Sequence, residues 1–177
     1  MTGPCPRPAD AGEIAFVGLG ANLGDAPATL RAALRELAAC PGCALLGCSS
    51  LWSSAPLDAE GPDFCNAVAR LRCACEPLEL LRQLQRIEQR HGRERPSGVR
   101  NAPRTLDLDL LCFGERELET PELSLPHPRM HQRAFVLAPL AELCPRWRLA
   151  DGEPIADALA RLRAQGQQLR RLGPLGP

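Results

Sequence analysis

Leu106-Asp107-Leu108-Asp109-Leu110 alternates apolar and acidic residues with a period of two. A β-strand sends successive side chains to opposite faces, so Leu106, Leu108 and Leu110 are expected to face a core while Asp107 and Asp109 share the other face. At a rise of ~3.3 Å per residue the two carboxylates start ~6–7 Å apart and can converge on one site. Asp is disfavoured in strands and like charges on one face repel, so something cationic is expected beside them. Hard oxygen ligands suit Mg²⁺, and two such ions ~3.5–4 Å apart can clamp a phosphate-transfer centre. The alternative for the same stretch is a solvated face whose acids pair with Arg100 or Arg104.

The segment that runs into this strand, Arg93-Glu94-Arg95-Pro96-Ser97-Gly98-Val99-Arg100-Asn101-Ala102-Pro103-Arg104, carries four Arg and one acid in twelve residues. Guanidinium forks beside acid-bound metal ions form the complementary halves of a nucleoside triphosphate site. By itself the loop also suits a solvated or RNA-contacting surface; the adjoining pair of Asp favours the nucleotide. His127, Arg129 and Arg133 offer further phosphate contacts downstream.

Composition narrows the chemistry. All 21 basic residues are Arg, because the 177-residue chain contains no Lys, and they balance 21 acidic residues. A Walker-type loop needs a Lys, as does Schiff-base catalysis, so neither is available. Anions must be held by Arg, His, backbone N–H groups or a metal ion. Zero net charge argues against a general nucleic-acid or membrane-surface binder. Neither an apolar run of membrane-spanning length nor an apolar signal core at Met1-Thr2-Gly3-Pro4-Cys5-Pro6 is present, and a cytoplasmic location is expected. The hydrophobic fraction of 45% and charged fraction of 24% are globular values, and the length suits one domain.

Nine cysteines, an odd number, suggest reduced thiols rather than a disulfide framework. Cys40-Pro41-Gly42-Cys43 has the spacing of a redox or zinc pair, but it closes a helix instead of opening one. A zinc site would need two more ligands at short spacing, and His91, His127 and His131 do not supply a clean second pair. Cys48, Cys65 and Cys112 lie in apolar runs and read as small core residues. A thiol protein using Cys40 and Cys43 is the weakest of the functional readings.

Residues 1–12 are expected to form a loose arm, 13–172 one domain, and the tail from Gly173 to fray. Ile14 to Leu19 reads as a strand ending in Gly20-Ala21-Asn22-Leu23-Gly24-Asp25, with Asp25 as N-cap of a helix marked by Leu30, Ala33, Leu34 and Leu37. Cys43–Trp52 and Phe64–Leu71 read as strands flanking a loop at 53–63. Glu76-Pro77 opens a second helix whose stripe is Leu80, Leu81, Leu84 and Ile87, stopped by Gly92. After the Arg loop comes the strand Leu106–Phe113, then an extended run Leu123–Pro128, a partial helix at Ala134–Leu143 and a last helix at about 154–165. The order β-α-β-β-α-β with one further strand predicts an α+β fold, a ferredoxin-like α/β sandwich with a mostly antiparallel central sheet.

Gly20-Ala21-Asn22-Leu23-Gly24-Asp25, Ala55-Pro56-Leu57, Asp63-Phe64-Cys65-Asn66, Arg100-Asn101-Ala102-Pro103-Arg104-Thr105-Leu106-Asp107-Leu108-Asp109 and Pro126-His127-Pro128-Arg129 occur in this order. Together, over about residues 14–150, they resemble the 6-hydroxymethyl-7,8-dihydropterin pyrophosphokinases of folate biosynthesis. The resemblance implies transfer of the β,γ-diphosphate of ATP to the pterin hydroxymethyl group with release of AMP. It implies two Mg²⁺ ions on Asp107 and Asp109, with Arg93 and Arg104 joining them as catalytic residues. It places Gln85, Glu88, Arg95, Arg100, Leu110, Ser124, His127 and Arg133 on the ATP side. Ser54, Ala55, Leu57, Phe64, Asn66 and Phe135 fall on the pterin side, the two Phe stacking on the ring. The chain departs from frequent family choices at Ala21, Ala55-Pro56, Phe64, Asn101-Ala102 and Pro128.

Aromatics make up only 3% of the chain, so two Phe beside polar loop residues suit a flat heterocycle that also needs an amide such as Asn66 at its edge. The expected partners are therefore small molecules, ATP and the pterin, with neither nucleic acid nor membrane, on a monomer. The competing reading, a non-catalytic nucleotide- or RNA-binding module of ferredoxin type using the Arg loop, lacks the aromatic platform such modules carry on a central strand.

Overall fold

The computed structural model describes residues 12–56, 61–92 and 105–176. The expected N-terminal arm, apart from Gly12, lies outside the described residues. Strand β1 (Glu13–Ala21) is followed by helix α1 (Ala26–Ala38). Asp25 caps that helix, its Oδ1 accepting the Ala28 N–H at 3.0 Å, while Pro27 sits in the first turn where an N–H has no helical partner.

The expected single strand at Cys43–Trp52 is two strands, β2 (Cys43–Cys48) and β3 (Ser50–Ser54). Ser49 causes the break. Its N–H donates to the Val68 carbonyl at 2.9 Å and its Oγ accepts the Val68 N–H at 2.9 Å, so a side chain replaces one ladder acceptor. Strand β4 (Phe64–Cys73) then leads to helix α2 (Pro77–Arg90) and strand β5 (Asp107–Phe113). A two-stranded ribbon, β6 (Leu118–Glu119) with β7 (Ser124–Leu125), contains part of the run expected to be extended. Helix α3 (Ala134–Leu143) is continuous despite Pro139, and α4 (Ile155–Ala164) follows.

The last strand, β8 (Leu169–Pro174), corrects the expectation of a frayed end. Gly173 pairs with Leu51 and Pro174 with Ser50, and Leu175 is buried. The sequence Leu169-Arg170-Arg171-Leu172-Gly173-Pro174 shows little alternation because it lies on a sheet edge with exposed arginines, so its strand character comes from pairing with β3.

The main sheet runs β5-β1-β4-β3-β8, with β2 also paired to β4, and every pairing is antiparallel. With β2 and β3 counted as one, the elements from β1 to β5 follow the expected β-α-β-β-α-β order, and β1 and β4 lie inside the sheet. Helices cover both faces. Leu30, Leu34 and Leu37 of α1 and Leu80, Leu84 and Ile87 of α2 pack with Leu19, Leu71, Leu108 and Leu110 on one face. Leu137 and Leu140 of α3 and Ala158 and Leu162 of α4 pack with Phe16, Val68 and Leu111 on the other. Each fully buried Leu contributes about 1.5–3 kcal/mol of transfer free energy before chain entropy is counted. A bulge lies between the pairs Phe16–Cys112 and Val17–Leu110, so the alternation that sets the Asp face holds only as far as Leu111.

Candidate active site

The second sheet face is open at the end of β1 that follows Phe16. Gly18 and Gly20, both half-buried, alternate with core residues on this central strand, and each stands between two functional positions. Gly18 pairs with Val68 on β4 and Asp109 on β5; Gly20 pairs with Asn66 and Asp107. Without side chains there, the sheet forms a bare floor rather than meeting α3 directly. The result is a cavity of about 810 Å³ whose walls include Asp107, Asp109, His127, Arg133, Phe64 and Phe135.

Asp107 and Asp109 share the cavity face of β5, while Leu106, Leu108 and Leu110 are buried in the opposite core, as the alternation predicts. Among the described residues, two basic side chains lie near Asp109. Arg133 Nη1 lies 3.5 Å, and His127 Nε2 4.0 Å, from Asp109 Oδ2. Arg133 also sits over the Phe135 ring, 5.6 Å from its centroid, so one guanidinium links the acidic and aromatic ends of the cavity.

His127 is fixed by backbone contacts. Its N–H donates to the Leu111 carbonyl at 2.7 Å, and its Nδ1 accepts the Arg129 N–H at 3.1 Å. With Nδ1 accepting, a neutral ring carries its proton on Nε2, toward Asp109. Burial pushes the imidazole below its ordinary value; Asp109 opposes that shift and Arg133 adds to it. His127 is therefore a neutral hydrogen-bond donor at pH 7.

At the other end, Asn66 is buried and its Nδ2 donates to Ser54 Oγ at 2.9 Å. This leaves the amide oxygen directed over Gly20, where a Cβ would meet it at 3.5 Å. It can accept from an N–H on the edge of a ring lying between Phe64 and Phe135. Ser53 Oγ donates to Asp63 Oδ2 at 3.1 Å and steadies the strand end beside the loop.

Of the expected pterin-side residues, Ser54, Ala55, Phe64, Asn66 and Phe135 line this one cavity. Leu57, Arg93, Arg95, Arg100 and Arg104 lie outside the described residues. Among the expected ATP-side residues, His127 and Arg133 line the cavity and the other described ones do not. Gln85 and Ser124 lie on α2 and β7, which both pack against β5. The Leu110 side chain belongs to the core, because its parity on β5 matches Leu108. Glu88 is buried on α2 and its Oε1 accepts the Leu108 N–H at 2.7 Å, so it holds the open edge of β5.

Several wall residues escaped the sequence reading. Gly18 carried a signal, a second glycine two positions from Gly20 in an otherwise apolar strand. Gln132, Gln165 and Gln167 carried none. Gln167 accepts the Ala134 N–H at 2.8 Å and donates to the Gln132 carbonyl at 2.9 Å. It thus satisfies the start of α3, whose preceding Arg133 offers no side-chain cap.

Comparison with known proteins places the chain in a family. Residues 16–145 match the family described as 7,8-dihydro-6-hydroxymethylpterin-pyrophosphokinase (HPPK). A Pseudomonas aeruginosa protein named 2-amino-4-hydroxy-6-hydroxymethyldihydropteridine pyrophosphokinase is 45% identical over 152 residues, covering 85% of this chain and 93% of that protein. One of the same name from Bacillus subtilis is 42% identical over 132 residues, covering 74% of this chain and 78% of that protein. Among solved structures, Plasmodium falciparum HPPK-DHPS with pterin and p-hydroxybenzoate superposes with a TM-score of 0.69 at 15% identity. That alignment covers 90% of this chain and 46% of the longer one, and it supports the fold alone. Matching most of its length to this family and to relatives well above 30% identity, the chain belongs to the 7,8-dihydro-6-hydroxymethylpterin pyrophosphokinases.

Proposed function

We propose that the chain catalyses ATP-dependent transfer of diphosphate to the hydroxymethyl group of 6-hydroxymethyl-7,8-dihydropterin, releasing AMP, with two Mg²⁺ ions held by Asp107 and Asp109. The observation that carries this reading is the placement of two same-face carboxylates and two Phe rings around one cavity with a glycine floor. The donor set fits Mg²⁺: both groups are carboxylates, hard oxygen donors, and both are half-buried, which leaves room for water ligands. When bound, Mg²⁺ offsets charge on the phosphate oxygens.

The protein's own residues do the remaining work. Phe64 and Phe135 sandwich the pterin, and Asn66 accepts from an N–H on its edge, which fixes where the hydroxymethyl group points. His127 Nε2–H and the Arg133 guanidinium donate to phosphate oxygens, and Arg93, Arg95, Arg100 and Arg104 extend that set. Gln85 and Ser124 flank the nucleotide from either side of β5. The alcohol oxygen attacks the β-phosphorus, one P–O bond forms as the bond to the α-phosphate oxygen breaks, AMP departs and the hydroxyl proton is released. Alignment of donor and acceptor supplies most of the acceleration, since phosphoryl-type transfer needs little covalent help. Such a reaction needs a single chain, and a monomer in the cytoplasm completes the reading.

The test is nucleotide product analysis. AMP should form only when Mg²⁺ and the hydroxymethyl pterin are both present. Asp107→Ala and Asp109→Ala should each lower kcat by about 10²–10³-fold or more with the far-ultraviolet CD spectrum retained. Formation of ADP, or near-normal turnover in either variant, overturns the assignment.

A further inference from the structure

At the far end of the sheet, three cysteines from two segments meet. Cys43 opens β2 and Cys73 closes β4, and the two are direct cross-strand partners. Cys75 lies two residues further, past the strand. The turn at Gly42, with φ of 72°, brings the chain back so that the Ala74 N–H donates to the Gly42 carbonyl at 2.7 Å. A Cβ at position 42 would stand 3.6 Å from the Cys75 Cβ, so the turn and the Cys73-Ala74-Cys75 segment are in close contact.

The sulfurs have metal-site spacing. Cys43 Sγ is 3.3 Å from Cys73 Sγ and 3.8 Å from Cys75 Sγ, and all three lie within 4.8 Å of one another. Four sulfurs arranged tetrahedrally at a Zn–S distance of ~2.3 Å are ~3.8 Å apart along each edge. Sequence spacing concealed this group because Cys43 and Cys73 are thirty residues apart along the chain and are joined only by strand pairing. We propose that Cys43, Cys73 and Cys75 form a trithiolate site for Zn²⁺, with water completing the tetrahedron.

Cys73 is buried, while Cys43 and Cys75 are half-buried and give the ion a path in. Thiolate, not thiol, is the metal ligand, so coordination exchanges protons for the cation: three S–H bonds break, three S–Zn bonds form and three protons go to solvent. The ion would staple the start of β2 to the end of β4. Seven residue steps along β4 separate Cys73 from Asn66, ~23 Å at strand rise, so this centre is independent of the proposed Mg²⁺ and nucleotide cavity.

Cobalt is the spectroscopic probe. The full chain, reduced with a phosphine under argon and free of nucleotide, should bind one equivalent of Co²⁺ with thiolate-to-metal charge-transfer absorption and tetrahedral d–d bands, both abolished by Zn²⁺. Cys43→Ser and Cys75→Ser should each weaken cobalt binding by at least about tenfold, the loss expected when even an outer partner of a ligand is removed. Cys48→Ser and Cys144→Ser should leave the spectrum unchanged. Because Cys73→Ser acts in the core, the wild-type chain supplies a second measurement: Zn²⁺ should shield Cys43, Cys73 and Cys75 from alkylation, read by peptide mass spectrometry, and leave Cys48 and Cys144 unshielded. No charge-transfer band, a band that survives Cys43→Ser and Cys75→Ser, or equal alkylation with and without Zn²⁺ overturns the proposal.

Discussion

Gly20 pairs with Asp107 across the β1–β5 ladder and presents no side chain beside it. On its other side Gly20 pairs with Asn66, so the same bare position separates the acid of one cavity end from the amide of the other. Gly18 repeats the arrangement between Asp109 and Val68. Glycine weakens a central strand because it adds no packing and costs backbone entropy. Here the space above the strand is the floor of the candidate site.

Gly20→Val should therefore separate folding from catalysis. The new Cβ would stand 3.5 Å from Asn66 Oδ1, ordinary contact distance, and the backbone at Gly20 is not in the left-handed region. Val is a better strand former than Gly by up to ~1 kcal/mol, so the urea midpoint should hold or rise. Its methyl groups, however, enter the floor between the positions proposed for the two substrates. A displacement of ~1 Å at the reacting atoms costs about 10²-fold, and kcat/KM should fall by at least that amount. A variant with wild-type turnover would show that substrates do not lie over β1.

Glu88 supports the acidic strand from behind. Its Oε1 accepts the Leu108 N–H at 2.7 Å, and Leu108 lies between the two Asp on the edge strand. Leaving a buried backbone donor without its acceptor costs about 1–3 kcal/mol. Glu88→Ala should lower stability by that much in urea titrations and reduce kcat more than it alters KM for ATP. Glu88→Gln keeps an acceptor and should recover most of both. A selective rise in the KM for ATP in both variants, at unchanged stability, would return Glu88 to the nucleotide-contact role.

Periodicity located the acidic face, the helix stripes and the antiparallel sheet because each is written in neighbouring residues. Asp107 and Asp109 share a face, and Leu80, Leu84 and Ile87 share another, for purely local reasons. Pairing across distance was invisible. Ser49 splits a strand only through Val68, and β8 is a strand only because β3 accepts it. Arg133 reaches Asp109 because α3 is docked across the cavity, and no spacing encodes that. The cysteine group at 43, 73 and 75 failed for the same reason: ligands contributed by opposite strand ends have no fixed separation along a chain.

Glu36 ties α1 to the end of α2 and should make stability pH-dependent. It accepts from Arg90 Nε at 2.8 Å and faces His91 Nε2 at 2.6 Å. Burial raises its carboxyl, but hydrogen bonds from Arg90 and His91 outweigh that and hold it below the ordinary value of 4.5. A carboxyl held below its unfolded value stabilises above that unfolded value and loses the contribution as the pH falls through the folded one. Arg90 is 58% exposed, so solvent screening limits the pair to about 0.2–1 kcal/mol. Glu36→Gln should cost that amount at pH 7, and the gap from wild type should narrow below pH 4.5 and close once both carboxyl forms are neutral. Urea titrations across this range would measure it; a gap that stays constant with pH would remove the ionic contribution.

The C-terminal strand gives a sharper stability contrast within one segment. Leu175 is 2% exposed and joins the α1-side core, and its carbonyl accepts from Arg31 Nε at 3.2 Å. Leu172, three residues earlier on β8, is 41% exposed. Removing a buried Leu side chain leaves a cavity and costs about 2–5 kcal/mol, whereas an exposed one away from such features changes stability by about 0.5 kcal/mol or less. Leu175 sits at the sheet margin, where neighbours can partly collapse, so Leu175→Ala should cost about 2–3 kcal/mol, the low end of that range. Leu172→Ala should be nearly silent. A loosely attached tail would make both substitutions silent, so equal urea midpoints for the two variants and the parent chain would refute the pairing of β8 with β3.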